Sequence, residues 1–147
     1  MFEGETRDAI LGLKFRNERR NAFALALLLR SLVPPDTDCL TWAPTSDGRR
    51  MARGLDQSES IARHLGALVS LPVAASLRRV GEGRQTGASR EERQGSVRFV
   101  AHAGRAGETV VVVDDVVTTG ATFRAAVSAL IGVGCRVPVC LSVATVP

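Results

Sequence analysis

The sequence predicts an α/β domain with a mainly parallel central sheet flanked by helices, because strand-like and helix-like segments alternate along the chain. Residues 109–113 are all β-branched, which is typical of a strand buried on both faces of a parallel sheet. The chain has 147 residues, of which 45% are apolar. This length suits one compact domain over residues 1–147, with no room for a second of ordinary size.

Helices are predicted from apolar residues at helical spacing, and strands from short apolar runs between turn signals. Pro34 and Pro35 end one helix, and Gly132 and Gly134 end the last. The predicted helices are 6–15, 22–33, 58–69 and 122–131. The predicted strands are 39–43, 71–77, 97–101, 109–113 and 136–146.

Two polar stretches separate these elements. Residues 45–56 are polar and basic and are predicted to form a loop. Residues 78–95 contain four glycines and many charges. A loop of this length in a small domain is usually either functional or disordered.

The basic side chains are nearly all arginine. The net charge is +4, and the chain has 18 Arg and 1 Lys. Arginine binds phosphate through paired hydrogen bonds, so a phosphate-rich partner fits this bias. A compositional habit of the chain is the alternative source of the excess.

Cysteine spacing and hydropathy limit the other classes of function. Cys39, Cys135 and Cys140 have neither zinc-site nor C-x-x-C spacing, which indicates free thiols in a reducing cytoplasm. The apolar run 22–29 is far shorter than the ~20 residues of a membrane span. We therefore expect a cytoplasmic protein without membrane insertion.

Two common nucleotide motifs are missing from the sequence. Lys14 is followed by Phe15, which does not fit a P-loop. Residues 81–87 depart by one position from the dinucleotide fingerprint. Neither ATP on a P-loop nor NAD is expected as the ligand.

A pair of carboxylates, Asp114 and Asp115, directly follows the predicted buried strand. Burying two adjacent unpaired carboxylates costs several kcal/mol, so we expect them at the carboxyl end of the strand, where open α/β sheets bind ligands. The next residues enter a helix, whose free N–H groups bind phosphate. They are Val117, Thr118, Thr119, Gly120, Ala121 and Thr122.

The ligand predicted by this arrangement is a ribose that carries a 5′-phosphate. The N–H groups would hold the phosphate, and the carboxylates would accept hydrogen bonds from the vicinal hydroxyls. The alternative is that Thr118 or Thr119 only caps the helix while Asp114 and Asp115 lie in a solvated loop.

Four apolar residues, two aspartates and a Thr-Thr-Gly-Ala-Thr turn closely resemble the motif that binds phosphoribosyl pyrophosphate (PRPP) in type I phosphoribosyltransferases. The resemblance implies that Asp114 and Asp115 are the catalytic residues that contact the ribose hydroxyls. It also implies that residues 117–122 hold the 5′-phosphate. Pyrophosphate would leave from the anomeric carbon, with Mg²⁺ bound through the substrate.

Further segments resemble the ComF branch, the competence-associated phosphoribosyltransferase-like proteins. They are residues 2–16, Pro44 with Arg49 and Arg50, residues 53–58, and Arg84, Gln85 and Thr86 with Arg90 and Arg93. Leu55 and Asp56 stand where that branch more often has an aromatic residue and asparagine. No cysteine-rich zinc module and no segment for a base-covering hood are predicted, so the acceptor is open.

The arginine-rich loops are candidate phosphate-binding segments. Arg49, Arg50 and Arg53 are predicted to bind pyrophosphate, with a solvated turn as the alternative. The second loop resembles the mobile flap that closes over PRPP, with a polar loop of no function as its alternative. Its candidate ligand-contacting residues are Arg84, Gln85, Arg90 and Arg93.

Two non-catalytic functions are the alternatives. The fold could bind PRPP or nucleotide as a regulator, or single-stranded DNA alongside DNA-uptake proteins, as the ComF resemblance implies. No aromatic residue lies between Arg78 and Arg98, so base stacking has little support there. Trp42 is predicted to lie in the core. A degenerate enzyme kept as a partner-binding scaffold is the other alternative.

Overall fold

The computed structural model describes residues 19–45, 56–80 and 97–146. These residues contain three α-helices: α1 (Arg19–Leu29), α2 (Gln57–Val69) and α3 (Ala121–Gly132). A short 3₁₀ helix (Arg30–Leu32) follows α1. The strands are β1 (Cys39–Trp42), β2 (Leu77–Val80), β3 (Arg98–Ala101), β4 (Val110–Val117) and β5 (Cys140–Thr145). The predicted helix 6–15 lies outside the described residues.

The main sheet is parallel and has the order β1-β4-β5. Cys39 pairs with Val110 at one end of the β1–β4 ladder, and Trp42 pairs with Val113 at the other. On the other side of β4, Val112 pairs with Cys140 and Val117 with Thr145. The predicted α/β class with a parallel central sheet is confirmed.

Alternate side chains of β4 face opposite layers. Val111 and Val113 pack in a core with α1 and α2, whereas Val110 and Val112 pack in a second core with α3. Residues Val110–Val113 are fully buried. The run of β-branched residues therefore forms a central strand with a helical layer on each face, as predicted.

Trp42 was predicted to be a core residue, and it is only 7% exposed within the core that α1 and α2 cover. The guanidinium of Arg63 lies 5.5 Å from the centre of its ring. No helix among the described residues has the length and apolar character required to span a membrane.

The prediction of a strand at 71–77 was wrong in its position. Residues 71–76 contribute a single β-bridge, in which Val73 pairs with Leu40 of β1. The strand itself begins at Leu77. The Thr41 hydroxyl accounts for this, since it donates to Ala74 C=O at 2.9 Å and accepts from Ser76 N–H at 3.3 Å. A side chain thus takes the place of the backbone ladder there.

The loop predicted to start at residue 78 also begins later than expected. β2 pairs antiparallel with β3, so Leu77 lies opposite Ala101 and Val80 opposite Arg98. Val80 and Val97 are the described residues that flank the segment 81–96. Because Val80 lies opposite Arg98, the chain enters and leaves that segment at the same end of the β2–β3 pair.

Candidate functional site

The two carboxylates lie inside β4, and the prediction that they follow the strand was wrong in this detail. β4 continues to Val117 because β5 pairs with it past the aspartates, with Asp114 opposite Ser142. On the β1 side, however, pairing stops at Val113. The carboxylates therefore lie beyond the carboxyl end of β1 and beside the still-paired β5, in the region where open sheets bind ligands.

Ser58 completes the hydrogen bonding at the end of β1. The Ala43 N–H donates to Val113 C=O at 3.0 Å, the final bond of the β1–β4 ladder. Asp115 N–H is the next amide of β4 on that edge, and it donates to Asp114 Oδ1 at 2.8 Å and to Ser58 Oγ at 3.2 Å. A helix side chain and a strand carboxylate thus replace the missing strand partner.

Asp114 is a buried carboxyl group with two donors at one oxygen. Its Oδ1 accepts from the Ser58 hydroxyl at 2.8 Å as well as from Asp115 N–H. Burial and the negative charge of Asp115 raise the pKa of Asp114 to about 7, against the lowering effect of those two donors. Asp114 therefore changes its charge near neutral pH.

Asp115 is half-buried and holds the backbone that follows it. Its Oδ1 accepts from Val116 N–H at 2.8 Å. The two carboxylates interact electrostatically, as the effect of Asp115 on Asp114 shows. The negative charge of Asp115 therefore favours the uncharged form of Asp114.

Asp56 is a buried carboxyl group at the start of α2. It caps the helix by accepting from Glu59 N–H at 3.3 Å, and its other oxygen accepts from Thr45 N–H at 3.0 Å. Burial raises its pKa above the usual range. Because Thr45 and Asp56 flank the segment 46–55, this carboxylate holds the two ends of the predicted pyrophosphate loop together.

The predicted phosphate turn lies between β4 and α3. Thr118 and Thr119 are exposed, and Gly120, Ala121 and Thr122 are partly exposed. Gly120 has φ of +74°, and no side chain caps the helix at this residue. The Thr119 hydroxyl accepts from Ala121 N–H at 3.3 Å, which leaves its own proton for a ligand. The turn thus presents hydroxyls and helix N–H groups to solvent beside the carboxylates.

Residues 50–146 match the model of the phosphoribosyl transferase domain, which is more than half of the chain. The chain belongs to this family. The type I phosphoribosyltransferase fold inferred from the motif is thereby confirmed. A search of the curated proteins found no match.

Solved structures, two of them of adenine phosphoribosyltransferases, share this fold. Adenine phosphoribosyltransferase from Thermoanaerobacter pseudethanolicus is similar with a TM-score of 0.58 and 18% identity, over 86% of this chain and 68% of that one. The Leishmania donovani adenine phosphoribosyltransferase also has a TM-score of 0.58 and 18% identity, over 92% of this chain and 57% of that one. An allosteric regulatory enzyme of purine biosynthesis has a TM-score of 0.56 and 24% identity, over 80% of this chain and 25% of that one.

Several predicted site residues of this phosphoribosyl transferase domain lie outside the described residues. They are Arg49, Arg50 and Arg53 of the pyrophosphate loop and Arg84, Gln85, Arg90 and Arg93 of the flap. The structure does describe the residues that flank both segments. It brings together Asp114, Asp115 and the turn 117–122 on one β4–α3 unit.

Two residues beside the site were missed in the sequence. Ser58 belongs to the segment 53–58 that resembles the ComF branch, but no pattern indicated its role, because its partner Asp114 lies 56 positions further along the chain. Arg124 did have a signal in the sequence. A cation in the first turn of a helix is opposed by the helix dipole, so its presence there suggests an anion nearby. Its Nη1 donates to Thr119 C=O at 3.0 Å, which places a guanidinium against the phosphate turn.

Replacing Gly120 with alanine is expected to weaken both the fold and the phosphate turn. A residue with Cβ in the left-handed region costs roughly 1–2 kcal/mol, and the new Cβ would lie 3.1 Å from Arg124 Nη1. We expect urea unfolding to show a loss of that size and titration with ribose 5-phosphate to show weaker binding.

Gly132→Ala is the matched control for the Gly120 variant. It lies at the other end of the same helix, where a Cβ meets no atom within 4 Å. Gly132→Ala should leave both stability and affinity near the wild-type values. Equal behaviour of the two variants would contradict the role assigned to the Gly120 conformation.

Proposed function

We propose that this chain is a phosphoribosyltransferase, a glycosyltransferase that binds PRPP and transfers its phosphoribosyl group to an acceptor with release of pyrophosphate. The observation that carries the proposal is a pair of aspartates placed beside a solvent-facing helix N-terminus on one β4–α3 unit. Membership of the phosphoribosyl transferase domain family supports it.

In this proposal the phosphate turn binds the 5′-phosphate. Three threonines of the turn have hydroxyls that can donate to phosphate, and the first amides of α3 point out of the helix. Arg124 supplies a positive charge on the same turn, through Nη1 bound to Thr119 C=O at 3.0 Å. An arginine in this position strengthens phosphate binding beyond what the helix dipole supplies.

The ribose hydroxyls would lie against the aspartates. Ionised carboxylates are hydrogen-bond acceptors only, so they match the vicinal hydroxyls of a ribose. Among the described residues, Ser58 and the Asp115 amide both donate to Asp114 Oδ1. Its Oδ2 is therefore the oxygen we assign to the ligand.

Pyrophosphate and a cation would complete the ligand contacts. We propose that Arg49, Arg50 and Arg53 bind pyrophosphate and that the 81–96 segment, with Arg84, Gln85, Arg90 and Arg93, covers the ligand. Mg²⁺ favours oxygen ligands and binds largely through substrate phosphates. Ribose hydroxyls held by the aspartates would offer it oxygens, and Mg²⁺ would neutralise the charge of the departing pyrophosphate.

The ComF assignment is part of the proposal. It rests on the sequence segments at 2–16, 44–58 and 84–93 and implies a role in competence in the cytoplasm. Asp56 departs from the asparagine more common in that branch. Two backbone amides, of Thr45 and Glu59, donate to its two separate oxygens, which suits a carboxylate better than an amide.

Calorimetric titration with PRPP and Mg²⁺ tests the proposed function. The wild type is expected to bind, and the Asp114→Asn, Asp115→Asn double variant is expected to lose most of this affinity because amides accept fewer hydrogen bonds. Asp36→Asn, an exposed carboxylate beyond α1, is the control that should bind like the wild type.

Each result of this titration has a clear meaning. Loss confined to the double variant supports the site and justifies a screen of amine and base acceptors for pyrophosphate release. Absence of binding to folded wild-type protein would contradict the PRPP proposal. A steep fall of single-stranded-DNA affinity with salt would then favour the DNA-binding alternative.

A further inference from the structure

Ser58 lies at the junction of α2 and β4, where its hydroxyl contacts both members of the aspartate pair. The side chain is fully buried, although it lies in the first turn of its helix. Its oxygen accepts from Asp115 N–H at 3.2 Å, and its hydroxyl donates to Asp114 Oδ1 at 2.8 Å. Since a hydroxyl has one proton, the bond from Asp115 directs that proton toward Asp114.

The geometry defines which oxygen of Asp114 gains a proton. Oδ1 already accepts from Ser58 and from Asp115 N–H, which leaves Oδ2 as the oxygen to take a proton. A side-chain hydrogen bond with Asp115 also favours the protonated form of Asp114. That is the oxygen assigned to the ribose hydroxyls. A protonated Oδ2 is a donor where the ligand needs an acceptor, so the charge state of Asp114 controls ligand binding.

We propose that Ser58 is a positioning residue that orients Asp114 and favours the ionised form of its carboxylate, so that Asp114 can accept hydrogen bonds from the ribose hydroxyls of the ligand. This inference rests on the proposed function. Ser58 acts through Asp114 and does not itself touch the ligand. Loss of the hydroxyl would leave Asp115 N–H bonded to Asp114 Oδ1, so the local backbone keeps a partner.

The acidic groups near Asp114 oppose its ionisation, which makes a hydrogen-bond donor such as Ser58 important for its charge. Asp115 on β4 opposes ionisation of Asp114, and Asp56 at the start of α2 interacts with Asp115. Burial and the negative charge of Asp114 raise the pKa of the Cys140 thiol on β5 to about 11. This thiol is therefore uncharged near neutral pH. Among these groups Ser58 and the Asp115 amide are the ones that favour the charged form.

The first test follows Asp114 in the ligand-free protein by NMR of its carboxyl carbon between pH 4 and 10. The carboxyl carbon of wild-type Asp114 should titrate with a midpoint near pH 7. Ser58→Ala is expected to move this midpoint up by about one unit, as loss of a hydrogen bond to a charged group implies. Ser58→Cys keeps a weaker donor and should fall between the two.

Ser60→Ala is the matched control, because it removes the same hydroxyl two positions further along α2. It should titrate like the wild type. Ser58→Ala and Ser58→Cys midpoints equal to that of the wild type would overturn the proposal. This readout needs no ligand, so it stands apart from the proposed function.

The second test measures affinity for ribose 5-phosphate at pH 7 and pH 9. With a midpoint moved by one unit, Ser58→Ala should bind roughly fivefold more weakly than the wild type at pH 7 and about equally at pH 9. The phosphate of the ligand titrates near pH 6 in every variant, so the ratio to wild type removes its effect.

Recovery at high pH separates ionisation from simple structural damage. A loss of the same size at both pH values would overturn the proposal, since a distorted site does not recover when the pH rises. Failure of the wild type to bind at either pH would contradict the proposed function instead, whatever the NMR titration shows for Ser58.

Discussion

Asp114→Asn is expected to raise the free energy of unfolding at pH 8 by as much as roughly 4 kcal/mol, although it removes a site residue. The pKa of Asp114 is raised from 3.8 to about 7 in the folded protein, and each pKa unit corresponds to about 1.36 kcal/mol. The folded state therefore binds this proton more tightly than the unfolded state does. The contribution of Asp114 to the free energy of unfolding is therefore fully present below about pH 4, and it is lost as the pH rises through 7.

Urea unfolding of the wild type and Asp114→Asn at pH 4.5 and pH 8 checks this expectation. Asparagine carries no charge at either pH, so the variant should gain most at pH 8 and little at pH 4.5. Asp36→Asn removes an exposed carboxylate and should show no such pH-dependent gain. Equal stability of wild type and Asp114→Asn at pH 8 would contradict a costly buried charge.

The expected gain in stability also makes the binding experiments on Asp114 variants easier to interpret. A variant that is more stable and yet fails to bind has lost a ligand contact and not its fold. Such a result is the usual sign of a functional carboxylate held at the expense of stability.

Ile61→Ala is expected to lower the free energy of unfolding by about 2–5 kcal/mol, the range for large-to-small changes in a packed core. Ile61 belongs to α2 and is fully buried in the core that α2 forms with α1 and the sheet. It lies one helical turn after Ser58, so it also fixes α2 against β4. We expect a second effect, weaker binding of ribose 5-phosphate, because the Ser58 contact with Asp114 would loosen.

Ile131→Ala is the matched control, since the same side chain is 57% exposed on α3. Surface substitutions of this kind usually change stability by less than about 0.5 kcal/mol. Urea unfolding of both variants measures the difference. A similar small loss in both would contradict the packing of α2 onto the sheet.

Much of the fold was readable from local patterns. The β-branched run at 109–113 predicted the central strand, and Gly132 with Gly134 marked the end of α3. The strand at 71–77 was misplaced, because the Thr41 hydroxyl binds the backbone of residues 74–76 from another part of the chain. Residues 78–80 were taken as loop for a related reason: their pairing with β3 crosses a long segment.

The sequence by itself determined the family and located the candidate site, because the aspartates and the predicted phosphate turn are contiguous and their chemistry is local. Tertiary structure alone decided how Asp114 behaves. Its donor Ser58 is 56 positions away, and its burial depends on packing between α2 and the sheet. Asp56 likewise reaches Thr45 across 11 positions. Spacing and periodicity describe neighbours along the chain, whereas the charge of a buried carboxyl group depends on the groups that folding brings around it.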